Sequence, residues 1–277
     1  MAKILILGEI VGRAGIGALK NGLREVKDKY GIDYTIANAE GTTNGFGLGK
    51  AHSIQLGKMG IDLLTGGEKL FYKPDLVEFI SKASFIIRPL NYPPQTPGRS
   101  TKNITINDKR YLIISLQGNS LLNRQSLQNA FISIDGYIKK VSAEENKPAI
   151  IVIFHAATTA EKATMFHFLD GRASAVIGTH AKVMTADSCI SSHGTAFITD
   201  NGRVGSFMSV GGLSPEVEIR KFLTQIPERS KEAWEDARIQ GVVVDIDDES
   251  GLAKEIIRIN EQVKVAKPEA KSNEAEC

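Results

Sequence analysis

The chain has 277 residues, 42% of them apolar, with 34 Lys and Arg against 32 Asp and Glu and a formal net charge of +2. Such a length and composition suit a single large domain with a substantial core, and so even a balance excludes a global field that would gather nucleic acid or an acidic membrane surface. Cys189 and Cys277 lie far apart and lack CxxC spacing, which argues against a disulfide scaffold and leads us to expect a cytoplasmic protein.

Taken in chain order, apolar runs alternate with helical patterns. Residues 1–8 are too short an apolar run for a secretory signal and read as the first strand, Lys3 to Leu7; nothing later is long enough to span a bilayer. Gly15 to Tyr30 reads as an amphipathic helix with Leu19, Leu23 and Val26 on one face. Asp33 to Ala37 is the second strand, Lys50 to Lys58 a helix and Ile61 to Thr65 the third strand. A helix follows from Lys73 to Lys82, with Pro74 in its first turn. That rhythm implies parallel strands joined by helical crossovers.

From Phe85 the texture changes. A proline-rich loop, residues 91–99, leads into a hairpin of Asn103 to Ile106 and Arg110 to Ser115, turned at Asn107 and Asp108. The polar stretch from Asn119 to Gln128 reads as a lid or as a long connection. Alternation resumes with a helix from Asn129 to Val141, a strand from Ala149 to Phe154, a helix from Ala160 to Leu169 and a strand from Ala173 to Ile177. Cys189 to Ser191 and Ala196 to Thr199 read as short antiparallel strands, and Val242 to Ile246 and Glu255 to Ile259 complete a mixed set. Residues 1–263 are therefore expected to form one domain with a loop and hairpin insertion near 88–128. Residues 264–277, almost without large apolar side chains, are expected to be a disordered tail.

Glu9, Glu40, Glu68, His155 and His180 each fall just past one of these strands. Ligands bind outside the carboxyl ends of strands in α/β sheets, so these groups are expected to converge on one pocket and serve a metal-assisted reaction. Each has a plainer reading. Glu9 would also cap the next helix, Glu40 would also suit a ribose-binding acid, and either histidine would also fit as a packed side chain. The dinucleotide alternative fails because Gly12, Gly15 and Gly17 do not make G-x-G-x-x-G. His52, His167 and His193 read as surface or structural groups.

In order and spacing, the segments 8–12, 37–40, 65–68, 154–156 and 178–187, together with the proline loop, resemble the YmdB-like branch of the calcineurin-type metallophosphoesterases from about Lys3 to Pro227. The resemblance implies an α/β fold, a β-sandwich of mixed sheets flanked by helices in α-β-β-α layers. It also implies a dinuclear metal centre and phosphodiesterase activity, with cyclic nucleotides among the substrates reported for that branch. Several positions differ. The family has Asp where this chain has Glu9, a bridging acid at Glu40 and Asn at Gly41. It has an Asn ligand followed by a catalytic His at Gly67 and Glu68, histidine ligands at His155 and His180, and a further His at Lys182.

The metal ligands expected from this match are Glu9, Glu40, His155 and His180, a set suited to iron, manganese or zinc, with one or two ions per chain. A protonated lysine offers a metal no lone pair. Lys182 is therefore expected to stand in the place of a missing cation. Glu68 would serve as proton donor in place of the family's histidine if burial or neighbouring acids raised its pKa. Arg99, on the proline loop, is expected to grip a substrate phosphate, its plainer reading being a solvated arginine. Two functions follow: a metal-dependent phosphoesterase (phosphodiesterase or phosphatase, on cyclic nucleotides among other candidates), or a catalytically inactive relative that binds a nucleotide, a metal or a partner protein. A small phosphoester or nucleotide substrate and no membrane or nucleic-acid partner are expected; a homo-oligomer is left open.

Overall fold

The structure is a computed structural model that describes residues 1–122 and 126–268. Strands β1 (Ala2–Leu7) and β2 (Glu9–Ile10) lead into helix α1 (Gly12–Tyr30), followed by β3 (Tyr34–Asn38), α2 (Lys50–Lys58), β4 (Leu63–Thr65) and α3 (Pro74–Phe79). A hairpin of β5 (Thr101–Ile106) and β6 (Lys109–Gln117) precedes α4 (Ala130–Ser142), β7 (Ala149–His155), α5 (Thr159–Leu169) and β8 (Ala175–Thr179). The remainder is β9 (Cys189–Ile190), β10 (Ala196–Ile198), β11 (Arg203–Ser206), α6 (Pro215–Thr224), β12 (Ala237–Ile246) and β13 (Ala253–Gln262).

These strands form two sheets. One runs β2-β11-β12-β1-β3-β4, with β13 on the other edge of β12; the second runs β5-β6-β7-β8-β10-β9. Both are mixed: β1 is parallel to β3 and antiparallel to β12, and β7 lies parallel between β6 and β8 while β5 is antiparallel to β6.

Side-chain alternation builds the layers. Ile4 and Ile6 of β1 meet Ile151 and Ile153 of β7 in the core between the sheets. Leu5 and Leu7 face the other way, onto Leu19 and Leu23 of α1, and Val152 and Phe154 face Ile134 of α4 and Met165 of α5. Strands buried on both faces read as unbroken apolar runs, and those runs signalled β1 and β7 in the sequence. The result is the expected α-β-β-α stack.

The hairpin turns at Asn107 and Asp108, whose φ values of 50° and 62° are those of a two-residue turn matching strand twist. Helix α1 begins three residues before its expected start, since Val11 precedes it without a side-chain cap and gives no signal. The helix expected over Lys73 to Lys82 ends at Phe79 and continues as a 3-10 turn, Ile80–Lys82. Three elements escaped the sequence reading: β2, β11 and α6. The short strands β2 and β11 pair with each other in parallel, Arg203 opposite Glu9, and so fix the register of the segment carrying Glu9. Of the stretch from Asn119 to Gln128, residues 123–125 lie outside the described residues, as does 269–277 of the expected tail. The Lys264 carbonyl accepts a hydrogen bond from Asn21 at 2.8 Å, and Val265 packs on the core beside α1.

Candidate metal centre

The strands β1, β3 and β4 of one sheet and β7 and β8 of the other bring their carboxyl ends together. Glu40, Glu68, His155 and His180 meet there, each offering a ligand atom within 4.8 Å of the others. His155 Nε2 is at the middle, 2.6 Å from Glu68 Oε2, 3.0 Å from Glu40 Oε1 and 3.1 Å from His180 Nδ1. Glu40 and His155 are buried.

Local structure holds each group in place. His155 ends β7, and its Nδ1 lies 2.9 Å from the Thr179 hydroxyl at the end of β8 and 3.4 Å from the Asn38 amide at the end of β3. Its ring lies flat against the Gly67 backbone, so close that a Cβ at 67 would stand 2.1 Å from Cδ2. Glu40 Oε2 accepts from the backbone N–H groups of Gly67 at 2.5 Å and Lys69 at 3.1 Å, which ties the acid to the loop after β4.

His180 and Lys182 sit at φ 105° and 61°, a region costly for residues with side chains. Two buried groups hold that loop. The Asp200 carboxylate accepts from the Ala181 N–H at 2.7 Å and the Lys162 ammonium at 3.0 Å. Arg203 donates to the Lys182 carbonyl at 2.6 Å.

The charges are tightly interlocked. Burial works against the His155 imidazolium, but Glu40 and Glu68 outweigh it and push its pKa up to about 10. Burial would raise the Glu40 carboxyl, yet His155 brings it down to about 2. Burial and the neighbouring His155 lower His180 to about 4, so its ring is neutral with a free lone pair. Glu68 is also held well below the usual carboxylate range, against burial, by His155 and Lys69. That direction is opposite to the one a proton donor needs, so Glu68 stands as an acceptor. Lys69, raised by Glu40, Glu9 and Glu68 against burial, lies 2.9 Å from Glu68 and 3.6 Å from Glu40.

The four-residue cluster fits a metal ion. A single proton on His155 Nε2 cannot serve three acceptors, Glu68 Oε2, the buried Glu40 Oε1 and His180 Nδ1, at once. A cation would satisfy all of them. With its Nδ1 held by Thr179, His155 points Nε2 at that position, as ligating histidines do. Two nitrogens and two carboxylates suit zinc, iron or manganese.

A second ion, beside Glu9, does not fit. Glu9 is outside the cluster. The Lys182 ammonium is 2.9 Å from its Oε1 as an ion pair, and both carboxylate oxygens are buried. Burial raises the Glu9 carboxyl, with Lys182 opposing and Glu40 adding to the rise.

Of the seven residues expected in the site, Arg99 alone is not brought near it: it is exposed and borders a shallow depression with Ser84 and Lys102. The proline loop delivers Tyr92 instead, whose hydroxyl lies 3.0 Å from Gln117 Oε1 and 3.3 Å from the Gly67 carbonyl. Lys69, Thr179, Asp200 and Arg203 were missed by sequence reasoning. Thr179 and Lys69 adjoin expected ligands and were open to suspicion, but nothing local marks Asp200 or Arg203. His52, paired with Thr43 at 2.8 Å, and His193, paired with Asp170 at 2.8 Å, belong to other parts of the surface.

Residues 5–259 match the family model described as YmdB-like protein. The chain is 37% identical over 257 residues to a 2',3'-cyclic-nucleotide 2'-phosphodiesterase of Bacillus subtilis (strain 168), covering 93% of this chain and 96% of that one. Among solved structures, a novel phosphatase from Mycoplasma pneumoniae superposes with a TM-score of 0.88 at 32% identity, covering 94% of this chain and 93% of that one. A hypothetical protein from Thermus thermophilus gives 0.85 at 30% identity, covering 94% and 99%.

Proposed function

The chain belongs to the YmdB-like family, and from that premise we propose that it is a metal-dependent phosphoesterase, a phosphodiesterase acting on cyclic nucleotides, with its ion held by Glu40, Glu68, His155 and His180. The observation that carries this reading is the meeting of four ligand atoms, one each from Glu40, Glu68, His155 and His180, around a single point at the buried end of the two sheets. An ion bound there supplies polarisation of a phosphoryl oxygen and a lowered pKa for bound water.

The chain's own residues do the rest. Thr179 and Asn38 orient His155, and Gly67 and Lys69 orient Glu40 through their backbone N–H groups. The Lys69 ammonium keeps Glu68 and Glu40 charged and is placed to meet an incoming phosphate as a point charge. No histidine stands where the family has its proton donor, and Glu68 is held as a carboxylate. Loss of a general acid typically lowers the rate about a hundredfold to ten-thousandfold, so slow turnover is expected.

A second reading draws support from the charge count. The carboxylates of Glu9, Glu40 and Glu68 are matched by Lys69, Lys182 and the His155 imidazolium, a balance that suits a member binding a nucleotide or partner without turnover. Purified protein assayed on bis-p-nitrophenyl phosphate and 2',3'-cyclic nucleotides with manganese, iron or zinc, beside His155→Ala, separates the two. Activity lost with the imidazole supports the hydrolase; identical traces leave the binding role.

We also propose a cytoplasmic location. No described helix is long and apolar enough to cross a membrane. Exposed Ile219, Phe222 and Leu223 on α6 support self-association into a homo-oligomer, which light scattering on the purified chain would read.

A further inference from the structure

We infer that this chain binds one metal ion, not a pair, and that the Glu9–Lys182 ion pair, with glycine at 41, is a built-in replacement for the second. The inference rests on the metal-dependent reading above and goes beyond it by assigning the half of the site that the cluster leaves out.

Three observations converge. The first is charge. Lys182 Nζ lies 2.9 Å from Glu9 Oε1, with Glu9 fully buried and Lys182 only 14% exposed, so the acid already has its counter-ion in a poorly hydrated place. A divalent ion set beside that ammonium would meet like-charge repulsion strengthened by the low local dielectric. The second is donors. An ammonium has no lone pair and residue 41 has no side chain, which leaves only Glu9 and a share of Glu40.

The third is volume. A Cβ at position 41 would stand 2.5 Å from Glu9 Oε1 and 2.8 Å from the Ile10 carbonyl. The carboxylate of Glu9 therefore lies in the space that a ligating side chain at 41 would need. Acid, glycine and lysine form one fitted arrangement: a side chain at 41 would clash with the Glu9 carboxylate, and loss of the Lys182 ammonium would leave that carboxylate without its counter-ion. The backbone agrees, since Lys182 keeps its left-handed conformation with its carbonyl tied to Arg203.

The test is a manganese titration of the chelator-stripped full-length chain, followed by calorimetry and by electron paramagnetic resonance. The expected result is one binding event saturating at one ion per chain, with the spectrum of an isolated manganese ion. Two ions per chain, or an exchange-coupled spectrum, overturns the inference and leaves the proposed function standing; no binding at all overturns both. Glu9→Asp, Gly41→Asn and Lys182→His combined are expected to add a second ion. A folded triple variant that still takes only one refutes the assignment to these three positions, and should it not fold, the stoichiometry of the unaltered chain decides alone.

Discussion

Around His155 and around Glu9 the same end of the sandwich treats a buried carboxylate in two ways. Beside His155, Glu40 and Glu68 face lone-pair donors and a shared point that a cation can occupy. Beside Glu9 the counter-charge is covalently attached, as Lys182. The backbone frame does not dictate which outcome prevails. Strand ends place the side chains, and a few residue identities decide between a ligand set and an ion pair.

The sharpest way to break this contrast is to remove the cation beside Glu9. Lys182→Met should lower stability by about 3 kcal/mol in chemical denaturation, because a buried charge is left without its partner, and adding Glu9→Gln should recover at least half of the loss. A neutral single substitution would mean that Glu9 never depended on Lys182. On the other side, Gly67→Ala forces the His155 ring to move, since its Cβ would fall between 2.1 and 2.6 Å from three ring atoms. It should cost about 1–3 kcal/mol in thermal melts and weaken metal binding. The equivalent change at a position away from the ring, such as Gly136, which has open space around it, is the control.

Thr179→Val leaves the fold intact but frees His155 Nδ1; metal affinity should fall about tenfold to a hundredfold in competition titrations, with no such change from Thr164→Val. The smallest effect concerns the loop that presents His180. Burial would raise the Asp187 carboxyl, but hydrogen bonds from Thr185 and Thr199 outweigh it and hold it below its ordinary value. A depressed folded pKa favours the ionised form, so this contribution is complete above the ordinary carboxylate range and is lost as pH falls through the folded pKa. Asp187→Asn should therefore lower the neutral plateau of a stability-against-pH curve slightly and flatten its acid limb, the difference from the unaltered chain vanishing as pH falls through the folded pKa.

Much of this was legible in the sequence. The layers follow from apolar runs such as Ile4 to Leu7 and Ile150 to Phe154, and Glu9, Glu40, Glu68, His155 and His180 declared themselves by standing just past such runs. Arg99 stands on the exposed side of its loop because a loop residue's direction is set by how the loop closes, and this loop turns Tyr92 inward. Asp200 and Arg203 were invisible because their partners, Ala181 and Lys182, are distant in sequence and are bound through backbone atoms. Helix α6 did carry a start signal, Ser214 followed by Pro215 and Glu216, but Ile219, Phe222 and Leu223 point outward and blur its periodicity.

The pairing of β1 with β12 bears on how the chain is made. Leu7 pairs with Gly241 and Ala2 with Ile246, partners 234 to 244 positions further along. At ribosomal speeds of about 5–20 residues per second, one apolar edge of the first strand waits roughly ten to fifty seconds for its neighbour. During that interval it is open to strand addition by other chains. Nascent-chain chaperones therefore have a defined job here, shielding residues 2–7 until residues 241–246 emerge, and yield on overexpression should track their supply.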